Sequence, residues 1–83
     1  MCLGIPGRIV SIDDRVRRLA TADVGGVRRS INLACIVSAE RPIEDCLGRW
    51  VLVHVGFAMA IIDEHEAEQT LRILAELGDA EAR

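Results

Sequence analysis

Hydrophobic and polar positions change period once along this chain. Up to residue 62 the apolar residues come in short, largely β-branched runs broken by glycine and aspartate pairs; beyond it they recur every three or four residues. Gly7-Arg8-Ile9-Val10-Ser11-Ile12 reads as a first strand, and Asp13-Asp14 supplies turn chemistry after it. Residues 16–24 read as a second strand, Gly25-Gly26 as a tight turn, and residues 27–35 as a third strand that Ile36-Val37 prolong. In that third strand Val27, Arg29, Ile31 and Leu33 share one face, and Arg28, Ser30, Asn32 and Ala34 the other. Residues 38–49 form a polar connection with Pro42 and Gly48 and a short turn near Ile43.

Trp50-Val51-Leu52-Val53-His54-Val55 gives the strongest strand signal. Val51, Val53 and Val55 point one way, Trp50, Leu52 and His54 the other, so valines filling a barrel leave the Trp-Leu-His face outside. Residues 56–62 continue as a last strand bent at Gly56. Asp63 then caps a helix, with Glu66 three residues on in a capping-box relation. Ala67, Leu71, Leu74 and Leu77 form one apolar stripe over residues 64–77, Gly78 stands where a helix stops, and Asp63, Glu64 and Glu66 suit the positive end of the helix dipole. The Leu52 face is a seat for this helix. Four or five strands and one helix predict a mainly β fold: a small, partly open OB-like β-barrel with one C-terminal α-helix. The 83 residues make one domain, divided into an N-terminal arm (1–6), the barrel (7–62), the helix (63–78) and a tail (79–83).

Charge adds a second picture to this one. The net charge is −3, yet all ten basic residues are arginine, and Arg15, Arg17, Arg18, Arg28 and Arg29 crowd into one stretch. They read either as the solvated face of a hairpin or as a docking surface for an acidic partner. A barrel with an arginine-rich hairpin invites the reading of a nucleic-acid-binding OB module. Against it stand the negative net charge and the lack of base-stacking platforms, since Trp50 and Phe57 are the only aromatic residues. Trp50 reads as packing beside the helix, and Phe57 as core. No apolar run approaches the ~20 residues of a membrane-spanning helix. Cys2, Cys35 and Cys46 are odd in number and lack paired spacing, so the expectation is a soluble protein of the reducing cytoplasm.

Candidate chemistry gathers on two residues. A residue as small as Cys2 permits removal of Met1, which leaves a thiol and an α-amine able to chelate a soft metal; a lone terminal cysteine is otherwise more often inert. His54 offers an imidazole as a neutral acceptor or as proton partner to the Cys2 thiol, although a strand histidine more often bonds nearby backbone. One thiol and one imidazole do not complete a tetrahedral site, so any metal would be held only together with a partner or exogenous ligands. A thiol enzyme with Cys2 as nucleophile and His54 as base lacks an orienting third group and an oxyanion site, and no catalytic residue is assigned.

Three blocks carry a resemblance. Met1-Cys2-Leu3-Gly4-Ile5-Pro6-Gly7, then Gly25-Gly26-Val27-Arg28-Arg29 with Asn32-Leu33, then Trp50-Val51-Leu52-Val53-His54-Val55-Gly56-Phe57-Ala58 closely resemble the HypC/HybG/HupF family of nickel–iron hydrogenase maturation chaperones. The acidic helix from Asp63 matches too. The resemblance implies an OB-like barrel with a C-terminal helix, and a chaperone without catalytic turnover. It implies a HypD-type partner, with which iron bearing cyanide and carbon monoxide is carried transiently, and delivery to the precursor of the hydrogenase large subunit. By the same resemblance Cys2 is the thiol that touches the iron or the partner's cysteine, and His54 the histidine near that site. Pro6 holds the arm, the Gly56-Phe57-Ala58 turn supports the barrel, and Cys2, Leu3, Ile5, Pro6 and His54 form the partner-binding set. Cys35 and Cys46 lie off the family pattern and read as buried filler and exposed loop thiol respectively. Arg49 stands where an acidic residue is expected.

Overall fold

A computed structural model of the chain describes residues 4–81. Five strands, β1 (Ile5–Asp14), β2 (Leu19–Val24), β3 (Val27–Asn32), β4 (Trp50–His54) and β5 (Phe57–Ile62), close into a barrel in the order β1-β2-β3-β5-β4, and α1 (Glu64–Glu81) follows. The neighbouring pairs are antiparallel except β3 and β5, which are parallel and meet at one residue pair, Asn32 opposite Phe57. This is the mainly β, OB-like barrel with a C-terminal helix that the sequence pattern predicts.

Inward positions of the strands supply the core: Ile9, Ala20, Ala22, Ile31, Val51 and Ala58 are buried, with Val53 and Ile61 packed against them. Small side chains at Ala20, Ala22 and Ala58 suit the narrow interior of a five-stranded barrel. The connection after β3 closes the barrel from one side. Leu33, Ile36, Ile43 and Cys46 are buried there, the last two in a short 3-10 turn (Ile43–Cys46), and Arg15 in the β1–β2 turn forms an ion pair with Glu44 on that turn.

Several boundaries depart from the sequence reading. Ile5 and Pro6 belong to β1 and not to an arm, because both pair with β4. The second strand starts at Leu19, not at residue 16: Arg15–Arg18 turn the chain, with the Asp14 carboxylate accepting from the Arg17 N–H and Val16 93% exposed. β3 stops at Asn32, whose side-chain oxygen takes the Ala34 N–H and turns the chain away from the sheet. The bend expected at Gly56 is a two-residue hairpin turn, Val55-Gly56, with φ of 53° and 78°. Val55 is therefore 80% exposed instead of pointing inward with Val51 and Val53.

The helix begins as read. The Asp63 carboxylate accepts the Glu66 N–H at 2.7 Å, which satisfies one of the free donors of the first turn. Ala67 is buried and Leu71 and Leu74 are half-buried where α1 crosses β1 and β4, the Leu52 side of the sheet. The helix runs on through Gly78 to Glu81, about 27 Å in all, and Ile73 and Leu77 on its later turns are exposed. Residues 82 and 83 of the expected tail lie outside the described residues.

Candidate partner-docking and metal-handling site

β1 and β4 frame the site. Ile5 lies opposite Val53, Pro6 opposite Leu52, Gly7 opposite Val51 and Arg8 opposite Trp50, so the chain comes into the barrel at the end of β4 that carries His54. This segment pairs with β2 only from Arg8 onward; Pro6 has a strand neighbour on one side alone, a position that tolerates a missing N–H. The two glycines around it are needed for close approach. A Cβ on Gly4 would sit 2.9 Å from the Leu52 Cβ, and one on Gly7 would sit 2.9 Å from the Val24 Cγ2. Gly4-Ile5-Pro6-Gly7 therefore fixes how the chain from Gly4 onward enters β1.

His54 ends β4, paired with Phe57 across the Val55-Gly56 turn. It is half-buried, and its imidazole makes no hydrogen bond to any described residue, so the backbone-bonded role common for strand histidines is not the one seen among them. Phe57 (43% exposed) is its partner across the ladder, Val55 follows it in the turn, Met59 (51%) lies two residues beyond Phe57 on β5, and Ile5 (45%) is opposite the adjacent Val53. Phe57 was expected in the core. Ala58 takes the inward position opposite Val53 instead, and a bulge at this point of the β4–β5 ladder leaves Phe57 on the outer side. Of the expected partner-binding set, Ile5 and His54 share this end of the barrel. Pro6 is fully buried and offers a partner no surface. Cys2 and Leu3 lie outside the described residues.

The other two cysteines exchange the roles expected of them. Cys46 is buried in the core, and burial pushes its thiol up from the usual range; Cys35 is the exposed one. Among the described residues no three His, Cys, Asp or Glu side chains converge as a metal site. A cleft of about 530 Å³ lies elsewhere, between Arg8, Trp50, Leu71, Gly48 and the Gly25-Gly26 turn. Trp50 and Leu71 line it together, in keeping with a tryptophan beside the helix. Trp50 is four residues along β4 from His54, about 13 Å. The arginines do not form one patch either: Arg15–Arg18 and Arg28-Arg29 sit at opposite ends of β2, roughly 15–20 Å apart. No helix in the described residues is long and apolar enough to cross a membrane.

Residues 1–74, which span both the glycine-proline segment and the His54 hairpin, match the HupF/HypC family. The chain belongs to the HupF/HypC family. It is 59% identical over 81 residues to hydrogenase maturation factor HypC of Rhodobacter capsulatus, covering 98% of this chain and 82% of that protein. Hydrogenase maturation factor HybG of Escherichia coli K12 is 47% identical over 77 residues, 93% of this chain and 92% of the relative. A Proteus vulgaris protein named Frd operon uncharacterized protein C is 46% identical over 81 residues, 98% and 82% respectively. The matched range contains all three sequence blocks. The geometry gives a reason for glycines in two of these blocks: Gly4 permits close packing on Leu52 of β4 and Gly7 on Val24 of β2, and Gly56 completes the turn beside His54.

Proposed function

We propose that this member of the HupF/HypC family is a maturation chaperone for a nickel–iron hydrogenase, working in the cytoplasm without catalytic turnover of its own. With a HypD-type partner it carries iron bearing cyanide and carbon monoxide, and it brings that cargo to the precursor of the hydrogenase large subunit. The reading rests on family membership over nearly the whole chain, and one observation of the structure supports it: β1 runs in beside the end of β4 that carries His54.

Cys2 precedes Ile5 by three residues in the sequence, and Ile5 lies opposite Val53, the neighbour of His54. On this reading the Cys2 thiol and the His54 imidazole serve one cargo. Low-spin iron with strong-field ligands takes a soft thiolate readily, and the remaining donors come from the cyanide and carbonyl ligands and from the partner. Two protein donors are too few to retain a metal permanently, which suits a protein that passes iron on. The exposed Val55, Phe57 and Met59 of the β4–β5 hairpin that carries His54 give the partner apolar side chains to cover during the hand-over.

The test is complementation. In a strain lacking the native gene, Cys2→Ala is expected to abolish hydrogenase activity while the purified variant keeps its far-ultraviolet dichroism and melting temperature. His54→Ala is expected to lower activity less severely. Full activity with Cys2→Ala would overturn the reading.

A further inference from the structure

The barrel closes through the single pair Asn32–Phe57, and β5 begins where β3 ends. Along the rest of its length, Val27 to Ile31, β3 has β2 on one side and, among the described residues, no strand on the other. Hairpin geometry tells which backbone groups face the open side. Val24 and Val27 close the two-residue Gly25-Gly26 turn and form a hydrogen-bonded pair, so Arg29 with Ala22 and Ile31 with Ala20 are hydrogen-bonded pairs too. The alternate residues Arg28, Ser30 and Asn32 turn their N–H and C=O outward. Asn32 bears this out, since its N–H bonds outward to the Gly56 carbonyl at 2.8 Å. Arg28 and Ser30 are left, among the described residues, with unpaired donors and acceptors on an exposed strand edge.

Side chains on this edge select what can pair with it. Val27, Arg28, Arg29 and Ser30 are all exposed, and neither Arg28 nor Arg29 has an acidic partner among the described residues. A second copy pairing edge to edge would set arginines against arginines, which is unfavourable. An acidic strand meets the opposite situation, with backbone ladder bonds to Arg28 and Ser30 and carboxylates beside two free guanidiniums.

We infer that the β3 edge is a docking site for an extended acidic segment of a protein partner, added as a sixth strand. This goes beyond the chaperone reading and is independent of it, since it needs neither Cys2 nor iron. The probe is a capped octapeptide, Thr-Glu-Glu-Thr-Thr-Glu-Glu-Thr, whose adjacent glutamates put carboxylates on both faces of an added strand; it is titrated at low salt into the isotope-labelled full chain and followed by amide hydrogen exchange. Binding is expected to slow exchange at Arg28 and Ser30 about tenfold or more, and to leave Arg29 and Ile31, already bonded to β2, unchanged. Arg28→Glu with Arg29→Glu is expected to weaken binding about tenfold, the scale of two exposed ion pairs, without moving the melting temperature. A proline-interrupted peptide of the same charge is expected to bind more weakly, and added salt to weaken the parent. Four outcomes would overturn the inference: no saturable binding, protection at Arg29 in place of Arg28 and Ser30, equal binding of a threonine–lysine peptide, or peptide-independent protection that grows with protein concentration. The last would assign the edge to a second copy. None of these bears on maturation activity, so the two proposals fail separately.

Discussion

Replacing Val55 by asparagine should make the protein more stable, although the change removes an apolar side chain. Val55 is the first residue of the two-residue turn between β4 and β5, at φ 53°, and Gly56 follows at 78°. Both positive values belong to the turn type that matches the twist of a hairpin, and asparagine followed by glycine is its preferred pair. A β-branched L-residue pays for the left-handed region with about 1–2 kcal/mol, whereas asparagine tolerates it. Opposing this is the burial that valine contributes. Fully burying such a side chain is worth about 1.5–3 kcal/mol, and with 80% of Val55 exposed only about a fifth of that, roughly 0.3–0.6 kcal/mol, is lost. The balance favours Val55→Asn by about 1 kcal/mol, or about 4–8 °C in melting temperature for a domain of this size. Urea unfolding of both proteins measures it, with an unchanged m-value and a higher midpoint as the expected result. A midpoint equal to or below that of the parent would refute the strained turn, and with it the reason the β4–β5 hairpin ends where it does.

Three further changes probe other parts of the fold. Asp63→Ala removes the oxygen that accepts the Glu66 N–H and should cost about 1 kcal/mol in the same unfolding experiment; no loss would mean that the helix start does not depend on this cap. With a maleimide at neutral pH, exposed Cys35 should be modified rapidly and buried Cys46 only on unfolding, as read by peptide mass mapping. The Cys46 thiol titrates above its unfolded value when folded, so its contribution to stability is complete below the usual thiol range and declines as pH rises through the raised value. Equal labelling of the two would contradict that packing. The Asp13 carboxyl accepts hydrogen bonds from the Thr21 and Ser11 hydroxyls, which hold it below the usual carboxylate range. The contribution is therefore present above the unfolded pKa and lost as pH falls through the folded one; a carboxyl titration by NMR should show the low midpoint and its return upward in Thr21→Val.

What the sequence made legible was whatever a local rule decides. Gly25-Gly26 could only be a tight turn, Asp63 with Glu66 announced the helix, and the alternation through Val51 and Val53 gave the inner face of β4. The misreadings arose where tertiary context outweighs local signal. Valine is a strand former, so Val55 concealed a hairpin turn, and the inward place next to it went to Ala58 instead of Phe57. Ile5 and Pro6 carry no strand pattern of their own, and their pairing with Leu52 and Val53 depends on two glycines whose role, close packing, only the fold displays. Cys35 and Cys46 traded places because the loop after β3 folds back as a plug, which no periodicity encodes. Of the candidate residues, the structure places His54 and Ile5 at the same end of the barrel, as the β1–β4 pairing requires, while Pro6, which the sequence offered as surface, is buried.

The central claim is that this chain and a HypD-type partner hold one iron cargo between them through Cys2. It is tested most directly by co-purifying the two proteins from a hydrogenase-producing host and recording the infrared spectrum of the complex. Cyanide and carbonyl stretches, accompanied by iron, are expected with the parent chain and should be lost or strongly diminished with Cys2→Ala at equal complex yield. Bands of undiminished intensity and position in the Cys2→Ala complex would contradict it.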